Sequence, residues 1–316
     1  MAAIRVATTI GLWALLLAPR AHADQLPDDR TPVRELLKDL YSKPIDTRLA
    51  VLMAARDRWN TELRSGLIAE GDKNFKAARY LDALSVYELA LTVAQGISDR
   101  AGTIQSLRLV GNCRFYLANY AQAKALYAKS LEAAEEAIDN SAIAGALNGL
   151  GNVATLSDIE AARILYMRSL FAAREARDQQ AIARALNNLG NIYTRSRDLE
   201  KALAVYQESL SIKRRVGDDG QIAMTLFNIG HVLQVARRYE EALAYHTECL
   251  RLSEAAGRKA GIVSATRVIG EIYLELGNDR QARSFYERSL SVATEIGDSK
   301  SAAECRSRLA RIKDSL

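Results

Sequence analysis

The 316-residue chain contains little proline, cysteine or histidine, with only 4 Pro, 3 Cys and 3 His. So little proline, with Ala and Leu frequent throughout, favours long helices over a sandwich or barrel of short strands. The three cysteines, Cys113, Cys249 and Cys305, are too far apart to predict a disulfide framework or a zinc site. We therefore expect each of them to be a small residue of the core.

The sequence also lacks the usual patterns of catalytic chemistry. It has no Gly-rich phosphate loop, no recognisable Ser or Cys nucleophile motif and no cluster of metal-binding side chains. After the N-terminal segment, the only histidines are His231 and His246, which are 15 residues apart. We expect no metal, no cofactor and no enzymatic activity.

Residues 1–23 have the layout of a secretory signal peptide. Arg5 precedes an apolar run of thirteen residues, and residues 21–23 read Ala-His-Ala, the small-x-small pattern of a cleavage site. The run is shorter than the roughly 20 residues that span a bilayer. We expect cleavage after Ala23 and a periplasmic or extracellular mature protein with no membrane span. The alternative is a buried N-terminal helix.

The positive net charge is a weak signal of nucleic-acid binding. Removal of residues 1–23 lowers the formal charge from +5 to +3, because the segment holds Arg5, Arg20 and no acid. Elsewhere Arg and Lys alternate with Asp and Glu, and the basic run 213–215 lies where cations complement a helix C-terminus. We expect no nucleic-acid partner.

A glycine recurs every 39 or 40 residues along most of the chain. An alanine follows eleven or twelve residues later and an aromatic residue four after that, except that His246 takes the aromatic place in the fifth copy. The three columns are Gly71, Gly111, Gly151, Gly190, Gly230 and Gly270; Ala83, Ala123, Ala162, Ala202, Ala242 and Ala282; and Tyr87, Tyr127, Tyr166, Tyr206, His246 and Tyr286. The pattern predicts six copies between residues 59 and 300.

Each copy has the apolar periodicity of two amphipathic helices. We expect the glycine and alanine columns to allow close crossing within a helix pair, and the tyrosine to fill the gap to the next pair. One pair cannot bury both apolar faces, so the pairs must stack. Asp and Asn between the helices are predicted N-caps: Asp99, Asp139, Asp178, Asp218 and Asp298 for first helices, and Asn119, Asp158 and Asp198 for second helices.

These columns, and the Leu-Asn-Asn-Leu-Gly-Asn block at 186–191, resemble the tetratricopeptide repeat (TPR) family. The repeat length exceeds the usual 34 residues or so. In this it is similar to the long-helix arrays of kinesin light chains, Pins-type scaffolds and Rap-type peptide-sensing regulators. The resemblance implies an all-α protein, a right-handed α-solenoid of about six helical hairpins. The sequence departs from the family pattern in two places, at Glu70 before Gly71 and at a shortened turn in the third copy.

The segments around the repeats complete the predicted organisation. Residues 1–23 form the signal peptide, 24–58 an N-terminal helical segment in which Thr31-Pro32 begins a helix, 59–300 the six repeats and 301–316 an amphipathic capping helix. Solenoids need such capped ends to remain soluble.

In TPR arrays the first helices line a concave groove, so the resemblance implies that side chains flanking the glycine column face a ligand. The predicted groove residues are Arg108, Asn112, Asn148, Asn152, Arg184, Asn187, Asn188, Asn191, Phe227, Asn228, His231, Arg267 and Glu271.

The asparagines and arginines of this set suggest a peptide ligand. An amide side chain has donors and an acceptor, so it can pair with both groups of a peptide main chain. The arginines favour acidic groups or a C-terminal carboxylate. The alternative for the asparagines is hydrogen bonding to neighbouring protein groups or to water.

The sequence predicts an exported, non-catalytic adaptor or scaffold that binds a protein or peptide in its groove. Two alternatives remain open. One is an assembly scaffold that uses the convex face or the array ends, and the other is a peptide-sensing regulatory module.

Overall fold

The computed structural model describes residues 32–217 and 219–313, so the predicted signal peptide and the predicted caps at Thr31 and Asp218 lie outside it. The described residues form fifteen α-helices and contain no strand. The helices are α1 Pro32–Ser42, α2 Arg48–Ala54, α3 Thr61–Lys76, α4 Tyr80–Gly96, α5 Arg100–Tyr116, α6 Tyr120–Glu136, α7 Asn140–Ala154, α8 Ile159–Glu175, α9 Gln179–Arg195, α10 Leu199–Val216, α11 Asp219–Val235, α12 Tyr239–Ala255, α13 Lys259–Glu275, α14 Asp279–Glu295 and α15 Ser299–Lys313.

The chain divides into two compact units, Met1–Ala185 and Leu186–Leu316, with the division inside α9. In unit 1, α3–α4, α5–α6 and α7–α8 are packed pairs, and the first helices α3, α5 and α7 also contact one another in succession. In unit 2, α11–α12 and α13–α14 pack in the same way, and α15 packs on α14. This consecutive packing confirms the predicted all-α solenoid class. We call the side formed by the first helices the inner face of each unit.

The helix boundaries follow local capping chemistry. Asp99, Asp139, Asp178 and Asp298 each accept a hydrogen bond from the backbone N–H three residues later, at 2.8–3.1 Å. Asp158 and Asp198 cap second helices in the same way. The predicted cap at Asn119 is wrong, because its side chain makes no capping hydrogen bond.

Each glycine of the repeat column lies under an aromatic ring of its own hairpin. A Cβ atom on Gly111 would lie 2.8 Å from the ring of Tyr127, so no larger residue fits. The ring also covers Gly149 of the next hairpin, where a Cβ atom would lie 2.5 Å from it. The tyrosine therefore packs against the next pair, as expected, and also within its own hairpin.

The three cysteines are core residues, as predicted. Cys113, Cys249 and Cys305 are buried and unbonded to one another. Burial raises the pKa of the Cys113 and Cys249 thiols to about 12, so they stay protonated at neutral pH.

Both ends of the described chain are covered by helices. Leu36 and Leu40 of α1 join the core of the first hairpin, and Ile312 of α15 joins Tyr286 in the last. None of the helices from residue 32 to residue 313 combines the length and the apolarity that a bilayer crossing needs.

Candidate functional site

Three of the predicted groove asparagines hold the tyrosine of their own hairpin. The tyrosine hydroxyl donates to the amide oxygen in the pairs Tyr127–Asn112 at 2.8 Å, Tyr166–Asn152 at 2.8 Å and Tyr206–Asn191 at 2.6 Å. Burial raises the pKa of Tyr127 and Tyr206 well above the usual range, so both hydroxyls remain donors. The amide oxygen of each asparagine is thus used inside the hairpin.

The fifth hairpin replaces this tyrosine–asparagine pair with two histidines. His246 takes the tyrosine position, is fully buried and packs edge-on against Phe227, with ring centroids 5.0 Å apart. His231 takes the asparagine position and is exposed. Burial, with a smaller effect from the charge of His231, lowers the pKa of His246 to about 3, so its ring is neutral at pH 7.

The sixth hairpin changes the pair again. Glu271 stands where the second, third and fourth hairpins carry asparagine, and the buried hydroxyl of Tyr286 has no hydrogen-bond partner among the described residues. Arg267 instead binds Glu271 at 2.8 Å and lies 3.6 Å from Glu304 of α15. This predicted groove arginine is therefore neutralised by two carboxylates of its own unit.

The remaining predicted groove asparagines are buried or half-buried on the first helices. Asn187 is buried, and its amide oxygen accepts from Nδ2 of Asn228 at 3.3 Å. Asn148 and Asn188 are half-buried on the first helices.

Arg108 and Arg184, on the inner face of unit 1, differ from Arg267. Within the described chain, no carboxylate lies within 4.0 Å of either guanidinium group, as an ion pair would require. Protein atoms around them remove part of their solvation, which lowers the pKa of both, and the charge of Arg108 lowers that of Arg184 further. The charge of Asp178 acts on the pKa of Arg184 in the opposite direction.

Gly145 of α7 provides the space beside Arg108. A Cβ atom on this glycine would lie 3.0 Å from Cδ and 3.2 Å from Nε of Arg108, so a larger residue would displace the side chain. The carboxylates whose charge reaches Arg108 are Asp178 and Asp72.

Both of these carboxylates already have partners. Asp178 accepts from the Ser141 hydroxyl at 2.7 Å and from the Ala181 N–H at 2.9 Å. Asp72 accepts from the Tyr87 hydroxyl at 2.5 Å. The arrangement can therefore receive an added anion.

A comparison with models of protein families gives a match over most of the chain. A tetratricopeptide repeat model matches residues 74–136, 142–215, 181–255 and 221–295, which together exceed half of the sequence. The chain belongs to the tetratricopeptide repeat family. No curated protein matches this TPR chain by sequence.

Solved structures share the TPR fold at low sequence identity. BtubC (BKLC) from P. vanneervenii is 18% identical, with 74% of this chain and 92% of that one covered and a TM-score of 0.59. A Rap protein complexed with competence and sporulation factor is 13% identical, with 92% and 89% covered and a TM-score of 0.61. The apo form of the quorum sensor NprR from B. thuringiensis is 14% identical, with 89% and 78% covered and a TM-score of 0.57. These likenesses concern the fold alone.

Sequence reasoning identified both arginines of unit 1 but not the residues that shape their surroundings. Gly145 lies outside the repeat glycine column, and Asp178 reads only as a helix cap. One available signal is that Gly145 and Arg184 both lie six residues before their repeat glycine, so they occupy equivalent places on successive first helices. No three His, Cys, Asp or Glu side chains of the described segments lie together as a metal site requires.

Proposed function

We propose that this TPR protein is a non-catalytic adaptor that binds a peptide segment on the inner face of unit 1. Arg108 and Arg184 receive a carboxylate of that segment, either an acidic side chain or a C-terminus. The observation that carries the proposal is that two inner-face guanidinium groups lack a carboxylate in ion-pair distance among the described residues, with the Arg108 side chain seated against Gly145.

Guanidinium groups suit this ligand because they bind a carboxylate through two parallel hydrogen bonds. Partial desolvation strengthens the attraction, since fewer water molecules screen it. A bound carboxylate would also relieve the repulsion between the two arginines. The described structure offers no comparable pair on the inner face of unit 2, where Arg267 is paired with Glu271 and Glu304.

A second candidate function is a signal-sensing module. Two structures that share the fold favour it, since one is a Rap protein complexed with competence and sporulation factor and the other is a quorum sensor. Thermal stabilisation of the chain by short peptides but not by folded proteins would support the sensor over the adaptor.

The test starts from an array of random short peptides with free C-terminal carboxylates, probed with the purified chain. The best binders are then resynthesised with amidated C-termini or with Asp and Glu replaced by Asn and Gln, which separates the two carboxylate sources. We expect Arg108→Gln combined with Arg184→Gln to lose binding. Arg114→Gln, on the same helix but paired with Glu88 at 2.8 Å, is the matched control. Full binding by the double variant would contradict the proposal.

We also propose that the protein is exported, on the basis of the predicted signal peptide at 1–23. N-terminal sequencing of the chain recovered from the exported fraction should begin at Asp24. A chain recovered only inside the cell with residues 1–23 intact would refute export without affecting the peptide site.

A further inference from the structure

The outer helix α8 of unit 1 carries a stripe of exposed apolar side chains. Ile164 is 50% exposed, Met167 48% and Phe171 69%. Their spacings of three and four residues place them on one face of the helix. Large exposed apolar side chains in a continuous stripe mark an interaction surface more often than chance exposure does.

The TPR fold does not require this stripe, because the equivalent positions of the other hairpins are small, polar or charged. Relative to the aromatic column, the corresponding triplets are Ser85, Glu88 and Thr92; Ala125, Ala128 and Glu132; Ala204, Gln207 and Ser211; Ala244, Thr247 and Arg251; and Ser284, Glu287 and Ser291. The third hairpin is thus the one in which all three positions are large and apolar.

The charges at the two ends of the stripe indicate what covers it. Glu160 and Arg174 continue the series, so that residues 160, 164, 167, 171 and 174 follow the 4-3-4-3 spacing of a helix–helix seam. If a second α8 packs antiparallel with Met167 at the two-fold axis, Glu160 of each copy faces Arg174 of the other. Ile164 then faces Phe171. A parallel pair would instead oppose Glu160 to Glu160.

We propose that a second copy of this chain packs antiparallel on α8, with the stripe from Glu160 to Arg174 as the centre of a two-fold symmetric interface. Such an interface is self-complementary, because one surface serves both partners. Glu160 also binds Arg163 within its own helix, but its side chain is 65% exposed and can take a second partner.

The neighbouring outer helix leaves room for this contact. Ala125 and Ala128 of α6 are small and exposed, and α6 lies beside α8, with Glu135 3.7 Å from Arg168. A stable interface buries about 800 Å² on each partner, and one pair of helices provides less. The expected dimer is therefore weak, with a dissociation constant in the micromolar range.

Sedimentation of the purified chain over a concentration series tests the proposal. The wild type should shift from monomer to dimer, and Phe171→Glu should weaken the dimer by tenfold or more. Gln207→Glu, at the place in the fourth hairpin equivalent to Met167, is the control and should leave the dimer unchanged. Circular dichroism checks that helix content is retained, since all these side chains are at the surface.

A charge exchange tests the antiparallel register. Glu160→Arg and Arg174→Glu should each weaken the dimer because like charges then meet, and the combined variant should restore it. A wild type that stays monomeric over the whole series would overturn the proposal, and so would a dimer that is insensitive to Phe171→Glu. A combined variant no better than the single ones would overturn the register.

Discussion

The inner faces of the two units use the same repeat positions and differ in charge balance. Arg108 in unit 1 and Arg267 in unit 2 both lie three residues before their repeat glycine. The residue 37 positions further along the chain is Gly145 in the first case and Glu304 in the second. Gly145 leaves space beside Arg108, whereas Glu304 helps neutralise Arg267. Two positions therefore decide whether an inner-face arginine is available to a ligand. One is four residues along the same helix, Asn112 or Glu271, and the other lies on the next first helix, Gly145 or Glu304.

The tyrosine column shows a partial contrast between the units. In unit 1 the Tyr127 and Tyr166 hydroxyls are bound by asparagine. In unit 2 the Tyr206 hydroxyl is bound in the same way, but His246 replaces the next tyrosine and the Tyr286 hydroxyl is unpartnered among the described residues. Hairpins of the same fold thus differ in whether the polar group at the tyrosine position has a hydrogen-bond partner. The following predictions test these differences, beginning with the largest expected effect.

Loss of the arginine pair should have the largest effect. We expect Arg108→Gln with Arg184→Gln to weaken binding of an array-selected acidic peptide by about 100-fold, because each charge-assisted hydrogen bond contributes about 1.5–3 kcal/mol. Arg267→Gln should leave the affinity unchanged, since Glu271 and Glu304 already occupy that guanidinium group. Fluorescence anisotropy measures both. Equal losses in the two variants would show that the units do not differ.

Acid should destabilise the fifth hairpin through His246. Its pKa is about 3 in the folded chain and 6.5 as a free side chain, so the unfolded state binds the extra proton. The contribution of His246 to the free energy of unfolding is fully present above pH 6.5, and it declines as the pH falls from 6.5 towards 3. Between pH 7 and pH 5 the loss from this group is about 2 kcal/mol.

The matched variant for this prediction is His246→Tyr combined with His231→Asn, which restores the pair that the second, third and fourth hairpins carry. It should remove most of that decline in urea unfolding at the two pH values. An unchanged difference between pH 7 and pH 5 would assign the acid sensitivity to other groups.

Removing a tyrosine hydroxyl should matter only where it is bound. Tyr127→Phe loses the hydrogen bond to Asn112 and should lower the free energy of unfolding by about 1 kcal/mol. Tyr286→Phe removes a buried hydroxyl without a partner in the described chain, so it should be neutral or slightly stabilising. Urea unfolding compares the two, and a larger loss at Tyr286 would contradict this account.

The turn after α6 should give a small gain. Ile138 adopts a left-handed conformation with φ of 54° and is 82% exposed, which is unfavourable for a β-branched residue. Ile138→Gly should therefore raise the free energy of unfolding by about 0.5–1 kcal/mol, which a slightly higher melting temperature would show. Gly257 holds the same conformation in unit 2, and Gly257→Ala should lower stability by a similar amount. Opposite signs in a thermal melt are the expected result.

Much of the fold could be predicted from the sequence because its causes are local or periodic. The 39- or 40-residue columns identify the close crossings, and the capping aspartates identify where helices begin. Asn119 shows the limit of this reasoning, since a suitable residue at the right place forms no cap. The candidate site was predicted less well, because a position on the inner face does not state which partner its side chain has.

The sequence by itself determined the helices, their pairing into hairpins and the burial of the cysteines, since these follow from the apolar periodicity and the small residues at each crossing. Only the tertiary structure decided which polar side chains are already satisfied. That decision depends on contacts between residues that are 15 or 37 positions apart, such as Tyr127 with Asn112 and Arg267 with Glu304. Packing of one first helix on the next, together with an asparagine four residues along the same helix, leaves Arg108 and Arg184 without a carboxylate in ion-pair distance within the described residues.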